Sequence, residues 1–246
     1  MRLAALSDIH GNLLALEAVL VDVARRGVDA IVNVGDSLSG PLQPRETADR
    51  LMALDWPTIR GNHERQLLEV PRAAMGPSDA YADDCITDVH RDWMRRPPPT
   101  RSLGSDVFVC HGTPSSDLAY FLQTVDADGT VRDADDALVA ERAGDVAASL
   151  VLCGHSHLPR VVRLPDGRTI VNPGSVGLQA FEWDQPVPHV VANGSPHARY
   201  AVLKRVDDAW RVEHVRVAYD WEAAARMADA RARPDWAVAL RTGSMG

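Results

Sequence analysis

Five short, largely apolar runs in this 246-residue chain are each followed at once by a small polar motif of Asp, His, Asn and Gly. Arg2–Ser7 leads into Asp8-Ile9-His10, Ala30–Val34 into Gly35-Asp36, and Pro57–Arg60 into Gly61-Asn62-His63-Glu64. Val107–Cys110 leads into His111-Gly112, and Leu150–Cys153 into Gly154-His155-Ser156-His157. Runs of this length, bounded by such breaks, read as buried strands. After the first of them Leu13, Leu16, Val19, Leu20 and Val23 recur at helical spacing, and Gly27 stands where a helix would stop. Strands alternating with helices make an α/β fold whose sheet is covered by helices. In open α/β sheets ligands bind at the carboxyl ends of strands. The five strand ends therefore deliver two Asp, one Asn and five His to one rim.

The rest of the chain supplies the covering layers. Helices are expected around Glu46–Leu54, Glu64–Val70, Asp83–Arg96, Ala134–Ala148 and Asp220–Ala232, with a loop over Pro71–Pro77 and a firm stop at Pro97–Pro99. Past Cys153 the pattern turns to hairpins. Val161–Leu164 and Thr169–Val171 flank the turn Pro165-Asp166-Gly167, and Tyr200–Val206 and Trp210–Val217 flank Asp207-Asp208. Leu178–His197, which holds Trp183, His189 and His197, is a long segment expected to shape a substrate pocket. No linker interrupts the chain, so one domain is expected over residues 1–246, with a helical tail from about 220 to 246. That tail could pack on its own sheet or on a second copy.

Composition narrows the partners. A content of 46% hydrophobic and 24% charged residues is ordinary for a globular protein. A formal net charge of −8 argues against non-specific nucleic-acid binding, and an acidic chain that binds anions needs a concentrated local positive charge such as metal ions. No run approaches the ~18 apolar residues of a membrane span. Cys85, Cys110 and Cys153 form no C-x-x-C pair, so free thiols, a reducing compartment and a cytoplasmic location are expected.

Imidazole, carboxylate and amide oxygen together suit manganese, iron, zinc, nickel or cobalt rather than calcium or a thiolate site. Seven candidate ligands (Asp8, His10, Asp36, Asn62, His111, His155 and His157) are too many for one tetrahedral ion and fit two ions sharing a bridge. Two such ions can clamp the attacking and leaving oxygens of an in-line displacement.

In order and spacing these blocks resemble the calcineurin-like metallophosphoesterase superfamily, whose pattern is D-x-H, G-D, G-N-H-[DE], H and G-H-x-H. Asn172-Pro173-Gly174-Ser175-Val176-Gly177 also resembles the segment that follows in small bacterial members. The resemblance implies a four-layer α/β/β/α sandwich of two mixed sheets. It implies that Asp8, His10, Asp36 and His157 hold one divalent transition metal ion and Asp36, Asn62, His111 and His155 the second, with Mn2+ the expected occupant. It further implies hydrolysis of a small phosphorylated substrate by a metal-bridging hydroxide, with Asp36 and His63 catalytic, His63 as the acid and Glu64 orienting it. Asn62, Arg60 and Asn12 are the expected substrate contacts; Asn12 could equally cap a helix. Two alternatives are a nucleotide anhydride hydrolase of the diadenosine tetraphosphatase type and a non-catalytic scaffold.

One block departs from the pattern. Ser/Thr protein phosphatases of this superfamily carry G-D-x-x-D-R-G, whose second Asp orients the acid His and whose Arg holds phosphate. Here the stretch reads Gly35-Asp36-Ser37-Leu38-Ser39-Gly40, which lacks both groups. A dedicated protein phosphatase is not expected.

Overall fold

The computed structural model describes residues 1–207 and 209–246. The chain runs β1 (Arg2–Leu6), α1 (Leu13–Arg25), β2 (Ala30–Asn33), α2 (Pro44–Leu54), α3 (Asn62–Glu69), a 3-10 turn (Arg72–Ala74), α4 (Pro77–Cys85) and α5 (Asp88–Arg95). It continues β3 (Thr100–Leu103), β4 (Val107–Cys110), β5 (Gln123–Val125), β6 (Val131–Asp133), α6 (Asp136–Ala143), β7 (Leu150–Leu152), β8 (Arg160–Arg163) and β9 (Thr169–Asn172). It ends β10 (Ala180–Trp183), β11 (His189–Ala192), β12 (Ala198–Val206), β13 (Ala209–Val217), α7 (Trp221–Ala230) and α8 (Pro234–Thr242).

Two mixed sheets form the centre. One has the order β13-β12-β1-β2, with β1 and β2 parallel; the other has β3-β4-β7-β9-β8, with β4, β7 and β9 parallel and antiparallel edges. Side-chain alternation sorts the layers. Leu3 and Ala5 of β1 face inward with Val32, Val109, Leu152 and Leu203 to make the core between the sheets. Ala4 and Leu6 face the other way, onto Leu16, Val19 and Val23 of α1. On the far sheet Val151 and Ile170 turn outward onto Val139 of α6. The result is the four-layer α/β/β/α sandwich the sequence implied. Each fully buried Val or Leu contributes roughly 1.5–3 kcal/mol by leaving water, so the inter-sheet layer is the main force holding the two halves in register.

Several elements differ from expectation. Pro57–Arg60 is not a full strand: it makes a single parallel bridge, Thr58 to Asn33, because the pairing rests on two bonds to Asn33 and stops there. Asp83–Arg96 is broken into α4 and α5, since Ile86 and Thr87 are extended and Thr87 starts α5 in a capping box with His90. The helix expected to Ala148 stops at Ala143, where Gly144 takes φ +52°. Leu178–His197 holds a β-hairpin, β10–β11; the helix expected at Asp220–Ala232 is α7, and a further helix, α8, follows it in the tail. The β12–β13 pairing is as expected, with the Asp208 half of its turn outside the described residues.

Candidate active site

The parallel strands of both sheets end on one rim, and the two halves of that rim are bonded together. Across the sheets, Val176 N–H donates to Ser7 O and Gly177 N–H to Asp8 O; within them, Asp8 N–H donates to Gly35 O and Gly154 N–H to His111 O. Close approach demands glycine at two points: a Cβ on Gly61 would overlap the Asp36 carboxylate, and one on Gly154 would overlap the Ser7 hydroxyl. Backbone strain gathers here too. Asp8, His10, Asp36, His155 and His157 all have φ between +52° and +65°. Left-handed non-glycine residues cost of order 1–3 kcal/mol each and cluster at functional sites. Five of the eight in the described chain belong to one constellation.

Two buried trios result: Asp8 with His10 and His157, and Asp36 with His111 and His155. Within each, one ligand-type atom per residue lies within 4.8 Å of the others. Every histidine has its other nitrogen committed. Nδ1–H of His10 donates to Ser39 O, that of His111 to Val34 O and that of His157 to Leu178 O, each at 2.8 Å; Nε2–H of His155 donates to Leu118 O at 2.9 Å. Such bonds fix the tautomer and aim a bare nitrogen at the site. The bare Nε2 atoms of His10 and His157 are 3.1 Å apart, and that of His111 lies 2.9 Å from Asp36 Oδ2. These are acceptors facing acceptors, an arrangement that needs a cation or a proton between them. Both oxygens of Asp8, Oδ1 of Asn62 and Nε2 of His111 are buried without a hydrogen bond. Divalent cations fit these orphaned donors.

The electrostatics agree. Burial, then the neighbouring imidazoles, push His10 and His155 down to about 3, so both are neutral, the form that binds metal. Burial opposes ionisation of Asp8 and Asp36, but His157 and His111 overcome it and hold both carboxyls below their ordinary range. Burial likewise opposes the charged form of His111, yet Asp36 raises it to about 10, so the metal-free His111–Asp36 pair holds a proton that a cation would displace.

His63 stands beside the trios, its ring 5.4 Å from that of His10, with its side chain 27% exposed. Its partner is Asp79 on α4, whose Oδ1 is 2.8 Å from His63 Nδ1. Burial disfavours the charged ring, yet Asp36 and Asp79 raise it to about 9. The orienting role expected of Glu64 is corrected: its carboxylate accepts the backbone N–H groups of Asp36, Ser37 and Gly61, a clamp between the β2 loop and the start of α3. Asp79 was missed because no motif marks it. The one signal was the missing second Asp after Gly35-Asp36, which left His63 in need of another carboxylate.

A cavity of about 420 Å3 opens over the rim. Asp36, Asn62 and His63 line it, as do His10, His155 and His157. His111 lies deeper, fully buried against Asp36. Two expected substrate contacts do not reach the cavity. Asn12 caps α1, accepting from Ala15 N–H and donating to Gly177 O, so the capping role is the one it plays. Arg60 N–H donates to Pro98 O, and its Nε is buried away from the lining.

The sequence profile of the calcineurin-like phosphoesterase superfamily domain matches residues 1–193. The chain belongs to this superfamily. Among calcineurin-like phosphoesterases it is similar to a metallophosphoesterase from Sphaerobacter thermophilus, with 25% identity, a TM-score of 0.74 and 98% of each chain covered. An uncharacterized protein of Methanocaldococcus jannaschii is 25% identical over 95% of this chain and 94% of its own length. The superfamily's rim motifs all fall within the matched stretch, whereas α7 and α8 lie beyond it.

Proposed function

We propose that this chain is a dinuclear-metal phosphoesterase. The observation that carries the proposal is the pair of buried trios, whose imidazole nitrogens and carboxylate oxygens converge within 4.8 Å of one another. Asp8, His10, Asp36 and His157 would hold one divalent ion and Asp36, Asn62, His111 and His155 the other, with manganese the expected metal. Bound there, the pair would supply Lewis acidity, neutralising phosphoryl oxygens and activating water. Two dications against Asp8 and Asp36 leave a site of net charge +2, a receptor for a phosphate anion inside an acidic protein. Asp36, a member of the trio with His111 and His155, would bridge the two ions and so set their spacing. His63 points into the cavity, is held by Asp79, and is placed to give its proton to the leaving oxygen. The site needs no covalent intermediate.

The tail is part of this working unit, because α8 walls the cavity through Trp236. The three free thiols support a cytoplasmic setting. The deciding experiment measures metal content together with turnover of p-nitrophenyl phosphate and bis-p-nitrophenyl phosphate, for the wild type and Asp36→Asn. Two ions per wild-type chain are expected, with a turnover loss in the variant beyond the 10–100-fold typical of outer-shell changes. No metal and no turnover after Mn2+ reconstitution would overturn the proposal in favour of a scaffold.

A further inference from the structure

The cavity has a polar floor and apolar walls, and the walls come from elements that carry none of the five rim motifs. On β10, Trp183 sits against His155 and Phe181 against His157, with ring centroids 5.2 and 4.7 Å apart. On α8, Trp236 meets His10 edge-on at 6.0 Å. Each aromatic ring thus stands beside one histidine of the floor, Trp183 and Phe181 half-buried and Trp236 with 6% of its surface exposed, so a group bonded to a phosphate on that floor would leave among aromatic side chains. The cavity volume falls within the range of small-ligand pockets, about 300–1,000 Å3.

Charge separates the candidate substrates. Among the described residues that line the cavity, Arg233 is the only Lys or Arg. Its guanidinium is already committed. It forks onto Asp235 at 3.0 and 2.6 Å, donates to Ser78 Oγ at 2.9 Å, and lies 5.7 Å from the centroid of the Trp236 ring. Glu182 adds a further carboxylate to the lining. A chain of several phosphates leaving the floor would pass these carboxylates with no uncommitted Lys or Arg in the described lining to meet it. An uncharged flat ring would instead meet aromatic surface, which stacks on any base or arene without regard to its hydrogen-bonding edge.

We propose that the site selects phosphoesters bearing a single phosphate and a flat ring, nucleoside or aryl, and that Trp183 and Trp236 select them. This rests on the hydrolase reading above and names its substrate class. It also sets aside the dinucleoside polyphosphates that a diadenosine tetraphosphatase would take.

The test compares substrates that share the reacting bond and differ in the ring: 5′-AMP against ribose 5-phosphate or, for a diesterase, their methyl esters. On the metal-loaded protein the ring-bearing member is expected to have a kcat/KM about 5- to 150-fold higher, the range of one base–aromatic stack. Trp183→Ala pulls that ratio toward one, mainly through KM, while Trp183→Phe, which keeps a ring, retains most of it. Trp236→Leu against Trp236→Phe repeats the contrast on α8; where the Leu variant fails to fold, the Trp183 pair carries the test. Benzyl phosphate, a primary alkyl ester like 5′-AMP, separates the two sources: a higher kcat/KM than 5′-AMP assigns simple arene-bearing esters, a lower one nucleosides. A wild-type ratio near one, a ratio unmoved by Trp183→Ala, or diadenosine tetraphosphate preferred over 5′-AMP overturns the proposal. Binding is read independently by quenching of tryptophan fluorescence with 5′-AMP and ribose 5-phosphate. Ring-dependent quenching without turnover of any ester would overturn the hydrolase reading and leave ring selection standing. Turnover without ring preference would do the reverse.

Discussion

His63 and Asp79 form a unit that the rim motifs do not contain. Asp79 lies on α4, sixteen residues past His63, and its carboxylate fixes the ring's Nδ1 at 2.8 Å so that Nε2 is the free end. Removing a general acid costs typically 10²–10⁴-fold. His63→Ala is therefore expected to keep both metal ions and to lose about that much kcat on alkyl phosphates, with a far smaller loss on p-nitrophenyl esters, whose leaving group needs little protonation. Equal losses across a leaving-group series would remove His63 as the acid. Asp79→Asn should give a weaker version of the same leaving-group pattern, and the double variant should be no worse than His63→Ala alone. Additive losses would show that Asp79 acts elsewhere. The metal-type residues were legible in the sequence because Asp and His directly after apolar runs are chemically conspicuous. Their left-handed backbone was not, since positive φ leaves no mark in residue order. Arg60 and Asn12 misled because adjacency in the chain was read as adjacency in the cavity.

At the scale of elements, those with a marker beside them were legible and those without one were not. α1 and the β12–β13 pair carry enough repeats for the period to speak, while the short strands β1, β2, β4 and β7 are each announced by the polar motif that follows and β8 and β9 by the turn between them. β5 and β6 have three residues each, and β10 and β11 four, with Pro186 and Pro188 between them, so tertiary pairing rather than local pattern forms them. How α1 is fastened to its sheet gives a pH prediction. Tyr200 on β12 donates to Asp22 Oδ2 at 2.6 Å, and Arg26 donates to the same oxygen at 2.7 Å. Burial opposes the charged carboxylate, but these bonds outweigh it and hold Asp22 below its ordinary value. A carboxyl depressed in the fold adds stability that is present above its unfolded pKa, about 4, and is lost as pH falls through the folded value. Tyr200→Phe is thus expected to cost roughly 1.5–3 kcal/mol in urea unfolding at pH 7, and distinctly less at pH 3. A difference independent of pH would mean that packing, not this bond, is what Tyr200 contributes.

Across the whole molecule the thiols report how tightly the layers close. Cys110 and Cys153 are fully buried at the ends of β4 and β7, and burial pushes both thiols well above their ordinary pKa; Cys85 is half-buried on α4. A thiol reagent should label one site at most in the native protein and three after denaturation, and rapid labelling of two or more would contradict the sandwich. The rim has a consequence in time as well as in space. His10 and His157 touch across 147 positions of chain, and Trp236 closes the wall later still. A ribosome releases Asp8 and His10 long before their third partner exists. While the polypeptide is being made, its early carboxylate and imidazole therefore form no trio that could trap a stray cation. Neither trio is complete until His155 and His157 have followed β7 off the ribosome and the strands of one sheet have met those of the other.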